Sequence, residues 1–189
     1  MPENSRPRRR ADAERSRAAI LRAAATVLGR QPDAGIDEIA RAAGVTRQTV
    51  YAHFSTRDKL VEAVLEQVTA EVVAAMDTVT TGEGESAAAV LVRLLDVSTD
   101  AAGRYPLLGA QPIAADTAHD LHGPIVERFA EVIRRGRRSG EFGCDLPLEW
   151  LLAAIIALAH TAADEVTSGT LPAEEARRAL SLSVSRLLW

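Results

Sequence analysis

The sequence predicts an all-α protein, on three observations. Apolar residues make up 47% of the chain but aromatic residues only 4%, so Ala, Leu and Val carry the apolar load. These are interleaved with Arg and Glu, and Ala, Leu, Arg and Glu are strong helix formers. Apolar positions recur at three- and four-residue spacing along most of the chain, and no segment alternates with the period of two that a strand needs. At 189 residues the chain is long enough for one large or two small units, each with its own core.

The elements follow in order. Residues 1–11 carry two prolines and four arginines and no apolar pattern, which reads as a disordered basic arm. From Asp12 a helix takes Ala19, Ile20, Ala23, Ala24, Val27 and Leu28 at helical spacing and ends near Gly29. After the break at 31–35 come a short helix from Ile36 to Ala43, stopped by Gly44, and another from Thr46 to His53. Thr46 is placed to cap that third helix. Ser55, three residues before Asp58, gives a capping-box start to a long helix reaching about Thr78. Residues 81–86 form a loop, 87–104 a helix, and 107–123 one or two short helices fragmented by Gly and Pro. Pro124 suits the first turn of a helix to Arg138, and two further helices run from about 146 to 167 and from about 172 to the end. The count is about nine.

Composition excludes some classes. No apolar run reaches the roughly 18 residues of a membrane span; Trp150 to Ala163 is the longest. No apolar region follows the N-terminal arginines as in a secretory signal. A lone Cys144 makes no internal disulfide, in keeping with a reducing cytoplasm. The net charge is −4, but residues 1–59 carry 12 Lys/Arg against 7 Asp/Glu, while residues 60–189 carry 10 against 19. Such a split suits one half that meets a polyanion and another that does not. No G-x-S-x-G elbow, P-loop or H-E-x-x-H occurs, so no enzyme chemistry, cofactor or metal is expected.

The informative stretch is Ile36 to Phe54, IDEIARAAGVTRQTVYAHF. Two short helices joined by a turn containing Gly form a helix-turn-helix, whose second helix enters the major groove of DNA. Ile39, Ala40, Val45 and Val50 are spaced to pack the pair together. Thr46, Arg47, Gln48, Thr49, Tyr51 and His53 are then left outward, and none is acidic. Arg47 suits a guanine edge and Gln48 an adenine edge, each through paired hydrogen bonds. Thr46, Thr49, Tyr51 and His53 suit phosphates, which fix register, and Lys59 in the first turn of the next helix suits another. A helical hairpin in an ordinary bundle, or a helical interaction or small-molecule-binding module without DNA, is the alternative.

Residues 39–65, IARAAGVTRQTVYAHFSTRDKLVEAVL, resemble the signature of the TetR family of bacterial regulators. The shared features are IA, AGV, T-x-x-T-x-Y-x-H-F and the charged start of a leucine-rich helix. The helix from Asp12 to Gly29 also stands where the family has one, so the resemblance covers about the first third of the chain. Gly35 departs from the Ser or Thr that often precedes the second helix in this family. Gly is an acceptable N-cap but offers no hydroxyl to a phosphate.

The resemblance implies a three-helix DNA-binding domain over 12–58 and a helical bundle for ligand binding and dimerisation over 59–189. It implies a cytoplasmic homodimer on a palindromic operator, a repressor (or an activator of the same fold) that responds to a small molecule. No cofactor is implied. The apolar faces of the last two helices, Leu151, Ile155, Leu158, Ala162, Leu180, Val184 and Leu187, are the expected dimer interface. Tyr105, His122, Phe129, Trp150 and His160 are candidate ligand contacts, since a largely apolar pocket needs a few orienting polar groups. His119, His122 and Cys144 are weighed as metal ligands and set aside, because Gly123-Pro124 is expected to break the helix there. Arg134, Arg135, Arg137 and Arg138 are read as complementing a helix C-terminus rather than binding DNA.

Overall fold

Eight helices are described, and no strand occurs among the described residues. They are α1 (Ser5–Arg30), α2 (Ile36–Ala43), α3 (Arg47–His53), α4 (Arg57–Asp77), α5 (Ala87–Arg104), α6 (Ala115–Ser139), α7 (Leu148–Thr167) and α8 (Ala173–Leu188). The computed structural model describes residues 5–79, 84–104 and 115–189, with side chains over 10–79, 84–101 and 123–189. The chain divides into two compact units, Met1–Val68 and Thr69–Trp189. Helix α4 is continuous from one into the other; the sequence reading put the division at its start, after Asp58.

In the first unit α1 buries Ile20, Leu21, Ala24, Ala25 and Leu28, one stripe at three- and four-residue spacing. It packs on α2, which buries Ile36, Ile39 and Ala40. The left-handed Gly44 (φ 68°) ends α2, and two hydrogen bonds close the turn: Val45 N–H to Ala40 O at 3.0 Å and Gly44 N–H to Arg41 O at 3.2 Å. This is the Schellman pattern, and an L side chain at Gly44 would strain it. Leu60, Val64, Leu65 and Val68 of α4 are buried too. Arg57, in the first turn of α4, donates to the carbonyls of Pro32 and Ala34 and ties the short α1–α2 connection down.

Three expectations are corrected. Helix α1 begins at Ser5, so residues 5–11, expected as a disordered arm, are helical. Pro7 falls in the first turn, where its missing N–H has no intrahelical partner to lose. Helix α4 is capped by Thr56, whose Oγ1 accepts from Lys59 N–H at 3.1 Å, rather than by Ser55. Helix α6 runs unbroken through Gly123 and Pro124. Proline there removes one backbone hydrogen bond at a cost of roughly 3 kcal/mol. The burial of Phe129, Ala130, Val132 and Ile133 farther along α6 outweighs that local cost. The short helices expected over 107–123 therefore give way to α6 from Ala115 on, and 107–114 lie outside the described residues.

In the second unit α5 packs against α6, α7 and α8. It buries Ala87, Val90, Leu91, Leu94 and Leu95. Polar ties close the periphery: Arg128 donates to Asp77 at 2.7 Å, and Arg177 of α8 to Asp100 of α5 at 2.7 Å. Arg135 donates to Glu85 O at 3.3 Å, Arg137 to Leu146 O, and Arg134 to Glu127 at 2.7 Å. Three of the four clustered arginines thus engage a neighbouring loop or a side chain rather than the end of their own helix.

Gly136 is where backbone and ring meet most closely. A Cβ there would stand 2.2 Å from Phe142 Cδ2. Phe142 is buried and its ring meets Trp189 edge-on at 5.4 Å, so it has little room to yield. Gly136→Ala is expected to destabilise the protein by roughly 1–3 kcal/mol through overpacking, seen as a lower urea midpoint with unchanged slope.

Candidate nucleic-acid interface and internal cavity

Val50 is fully enclosed on the seven-residue α3 and packs it against the first unit, with Ile39 of α2 also at zero exposure. Burying that one stripe turns the rest of α3 outward. Thr46, Arg47, Gln48 and Tyr51 are exposed, and Thr49 and His53 are half-buried. All six expected α3 residues therefore lie on or beside one open face. Val45, expected in the packing, is only half-buried.

The face is more organised than its sequence shows. Thr46 caps α3: its Oγ1 accepts from Thr49 N–H at 3.1 Å and lies 2.8 Å from the Thr49 hydroxyl. Arg47 Nη1 donates to Asp37 Oδ2 of α2 at 2.7 Å, and Nη2 to the Tyr51 hydroxyl at 3.4 Å. Its guanidinium also lies over the Tyr51 ring, 5.4 Å from the centroid. The Tyr51 hydroxyl and then the Asp37 carboxylate hold the Arg47 pKa above its ordinary value. Asp37 was not foreseen. It stands on another helix ten residues away, and only the turn at Gly44 brings it to Arg47.

Lys59 is exposed in the first turn of α4 and pairs with Glu62, whose hydrogen bond and charge raise the Lys59 pKa. Its backbone N–H is engaged by Thr56. Phe54, beside His53, is buried under Arg17, whose guanidinium lies 5.3 Å from the ring centroid. The Gly35 N–H donates to Glu38 Oε2 at 3.1 Å, so the glycine start of α2 still has half a capping box.

A cavity of about 80 Å³ lies inside the second unit, among α4, α5, α6 and α7. Phe129 and His160, two of the expected ligand contacts, line it together with Thr69, Val72, Ile125 and Ile156. Trp150 does not line it and is 63% exposed. Tyr105 lies outside the described residues, and His122 is described in its backbone alone. The sequence hid the cavity because its walls come from four helices, each contributing ordinary apolar or hydroxyl residues.

The residues expected at the dimer interface are mostly enclosed within one chain. Leu151, Ile155, Ala162, Leu180 and Val184 are buried within their own unit, and Leu158 and Leu187 are half-buried. Those stripes pack α7 and α8 against each other and against α5. The outward side of α7 is instead Trp150, Ala153, Ala157 and Thr161, with Leu182 outward on α8.

Residues 20–64 match the model of the bacterial regulatory proteins of the tetR family. Over this stretch, about a quarter of the chain, the protein is similar to that family's N-terminal domain. It is similar to TtgW of Pseudomonas putida, an uncharacterized HTH-type transcriptional regulator, with 47% identity over 57 residues. That match covers 29% of this chain and 42% of TtgW, so the chain spans less than half of that curated relative. A crystal structure from Rhodococcus sp., described as a TetR-family transcriptional regulator, shares the fold over 92% of this chain and 99% of its own (TM-score 0.78, 23% identity). The TetR-like regulator LfrR from Mycobacterium smegmatis, solved with proflavine, does so over 93% and 97% (TM-score 0.71, 25% identity). The TetR-family match coincides with the first unit from Ile20 to Val64, where the polar face of α3 stands.

Because Thr46 closes α3, Thr46→Ala is expected to cost about 1 kcal/mol of stability, measurable as a lower urea midpoint. Thr46→Ser, which keeps the hydroxyl, is expected to retain most of it.

Proposed function

We propose that this chain is a DNA-binding transcriptional regulator that acts in the cytoplasm as a homodimer on a palindromic operator and is released by a small molecule. The observation that carries the reading is the α3 face: short, fixed from behind by Val50, donor-rich, and without an acidic residue of its own. Arg47 and Gln48 would read base edges, and Thr46, Thr49, Tyr51, His53 and Lys59 would meet phosphates. In the free protein Arg47 is held by Asp37, so binding exchanges a carboxylate for a guanine edge or a phosphate.

One copy of the motif reaches a half-site, so a second copy is required for affinity and specificity. Helix α7 supports the dimer. It is long and apolar enough to cross a membrane by length and composition, with mean hydropathy 1.3 over an 18-residue window, yet only 17% of that window is buried. A partner copy laid on the Trp150, Ala153 and Ala157 side would cover it, and the small alanines allow close approach. For the sensor, α4 carries Thr69 and Val72 on the cavity wall, while its first turn holds the α1–α2 connection through Arg57. A ligand that favours one position of α4 would change the spacing of the two α3 helices and weaken DNA binding by its differential affinity. LfrR, of the same fold, was solved with proflavine, which favours a ligand-responsive role.

The test is a gel shift on the DNA upstream of the chain's own gene, over a salt series. Specific retardation is expected, with affinity about tenfold lower for Arg47→Ala. Asp37→Asn frees Arg47 and is expected to raise affinity for unrelated duplex, with a salt slope steeper by about one counterion. Absence of retardation on both this DNA and duplexes selected from a random pool overturns the reading. For the dimer, Ala157→Glu is expected to give monomer in sedimentation and to lose retardation while keeping its helical circular dichroism.

A further inference from the structure

The cavity in the second unit has a chemistry of its own. Among the described residues no carboxylate, ammonium or guanidinium lines it; its walls are Val72, Ala101, Ile125, Phe129, Ile155, Ile156 and small residues, with Thr69, Ser98, Thr99 and His160 the polar exceptions. An ion entering such a space loses its hydration with no fixed counter-charge in return. Hydrocarbon gains from the same walls.

Thr69 stands apart from the other hydroxyls. Ser98 donates to Leu94 O and Thr99 to Leu95 O, both at 2.8 Å, one helical turn back. Thr26, Thr161 and Thr167 bond their own helices in the same way. Thr69 is the one buried polar residue among those described, 8% exposed, and it lines the cavity without the turn-back bond that Ser98 and Thr99 make. Buried hydroxyls are nearly always paired, and one left open on a cavity wall marks where a partner belongs.

We infer that this cavity takes an uncharged, largely hydrocarbon small molecule bearing a hydroxyl group, a phenol or an alcohol, whose oxygen is hydrogen-bonded by Thr69. The hydrocarbon body lies against Phe129, Ile125 and Ile156, and the hydroxyl turns to α4. The inference rests on the sensor role proposed above and supplies the chemical class of its ligand. Binding is measurable on the protein alone, so a failure to retard DNA leaves it standing, and its own failure leaves DNA binding standing.

The experiment is calorimetric titration of the full chain with p-cresol, toluene and 4-methylbenzoate. Cresol is expected to bind the unmodified protein and 4-methylbenzoate to bind at least about tenfold more weakly, a comparison that needs no variant. Thr69→Val keeps the volume and removes the hydroxyl; it is expected to weaken cresol about fivefold and leave toluene unchanged. Thr69→Ser is expected to restore cresol binding. No heat with cresol, equal binding of 4-methylbenzoate, or a Thr69→Val protein that binds cresol as the parent does would each overturn the inference.

Discussion

The enclosure of Val50 within the first unit is the constraint on which the outward polar face of α3 depends. Helix α3 is only seven residues long, too short to be stable alone. Its orientation is set by the stripe it buries and by the two backbone hydrogen bonds that close the turn at Gly44. Once Val50 points inward, Arg47, Gln48 and Tyr51 have no direction left but solvent. The caps at Gly35, Thr46 and Thr56 hold the ends of the short helices, so the polar face stands on fixed backbone. Preorganisation of this kind lowers the entropy lost on binding.

In the second unit the same principle leaves two different remainders. Helix α5 is covered by α6, α7 and α8, and the stripes facing it become core. On α7 that stripe is Leu151, Ile155 and Ala162, which among the described residues leaves Trp150, Ala153 and Ala157 outward. Between α4 and α7 the packing leaves a space rather than a contact, and the described residues around it carry no carboxylate, ammonium or guanidinium. One surplus is a surface and the other a void.

Arg47 shows how a surface residue is governed by what lies outside its own helix. Reading α3 alone gives a free guanidinium on an acid-free face. The tertiary fold adds Asp37 at 2.7 Å and the Tyr51 ring beneath. An exposed pair of this kind adds little to stability, since solvent screens it. It does hold the side chain in one place and partly neutralise it, which bears on how readily the face takes any polyanion rather than a chosen one.

The sequence by itself determined the helical class, the bounds of α2, α3, α5 and α8 to within a residue or two, and the outward set on α3. Each rests on local rules: three- and four-residue apolar spacing, a capping Thr46, a left-handed Gly44. Tertiary structure alone decided matters where two segments compete or combine. Pro124 locally favours a helix start, but burial farther along α6 carried the helix through it. Leu151, Ile155 and Val184 were legible as apolar stripes, but periodicity does not say whether a stripe meets its own chain or another, and their own unit encloses them. Asp37 beside Arg47, and Thr69 on a cavity shared by four helices, join positions that no spacing rule links. Sequence patterns report which side of a helix is buried; packing decides against what, and where space is left.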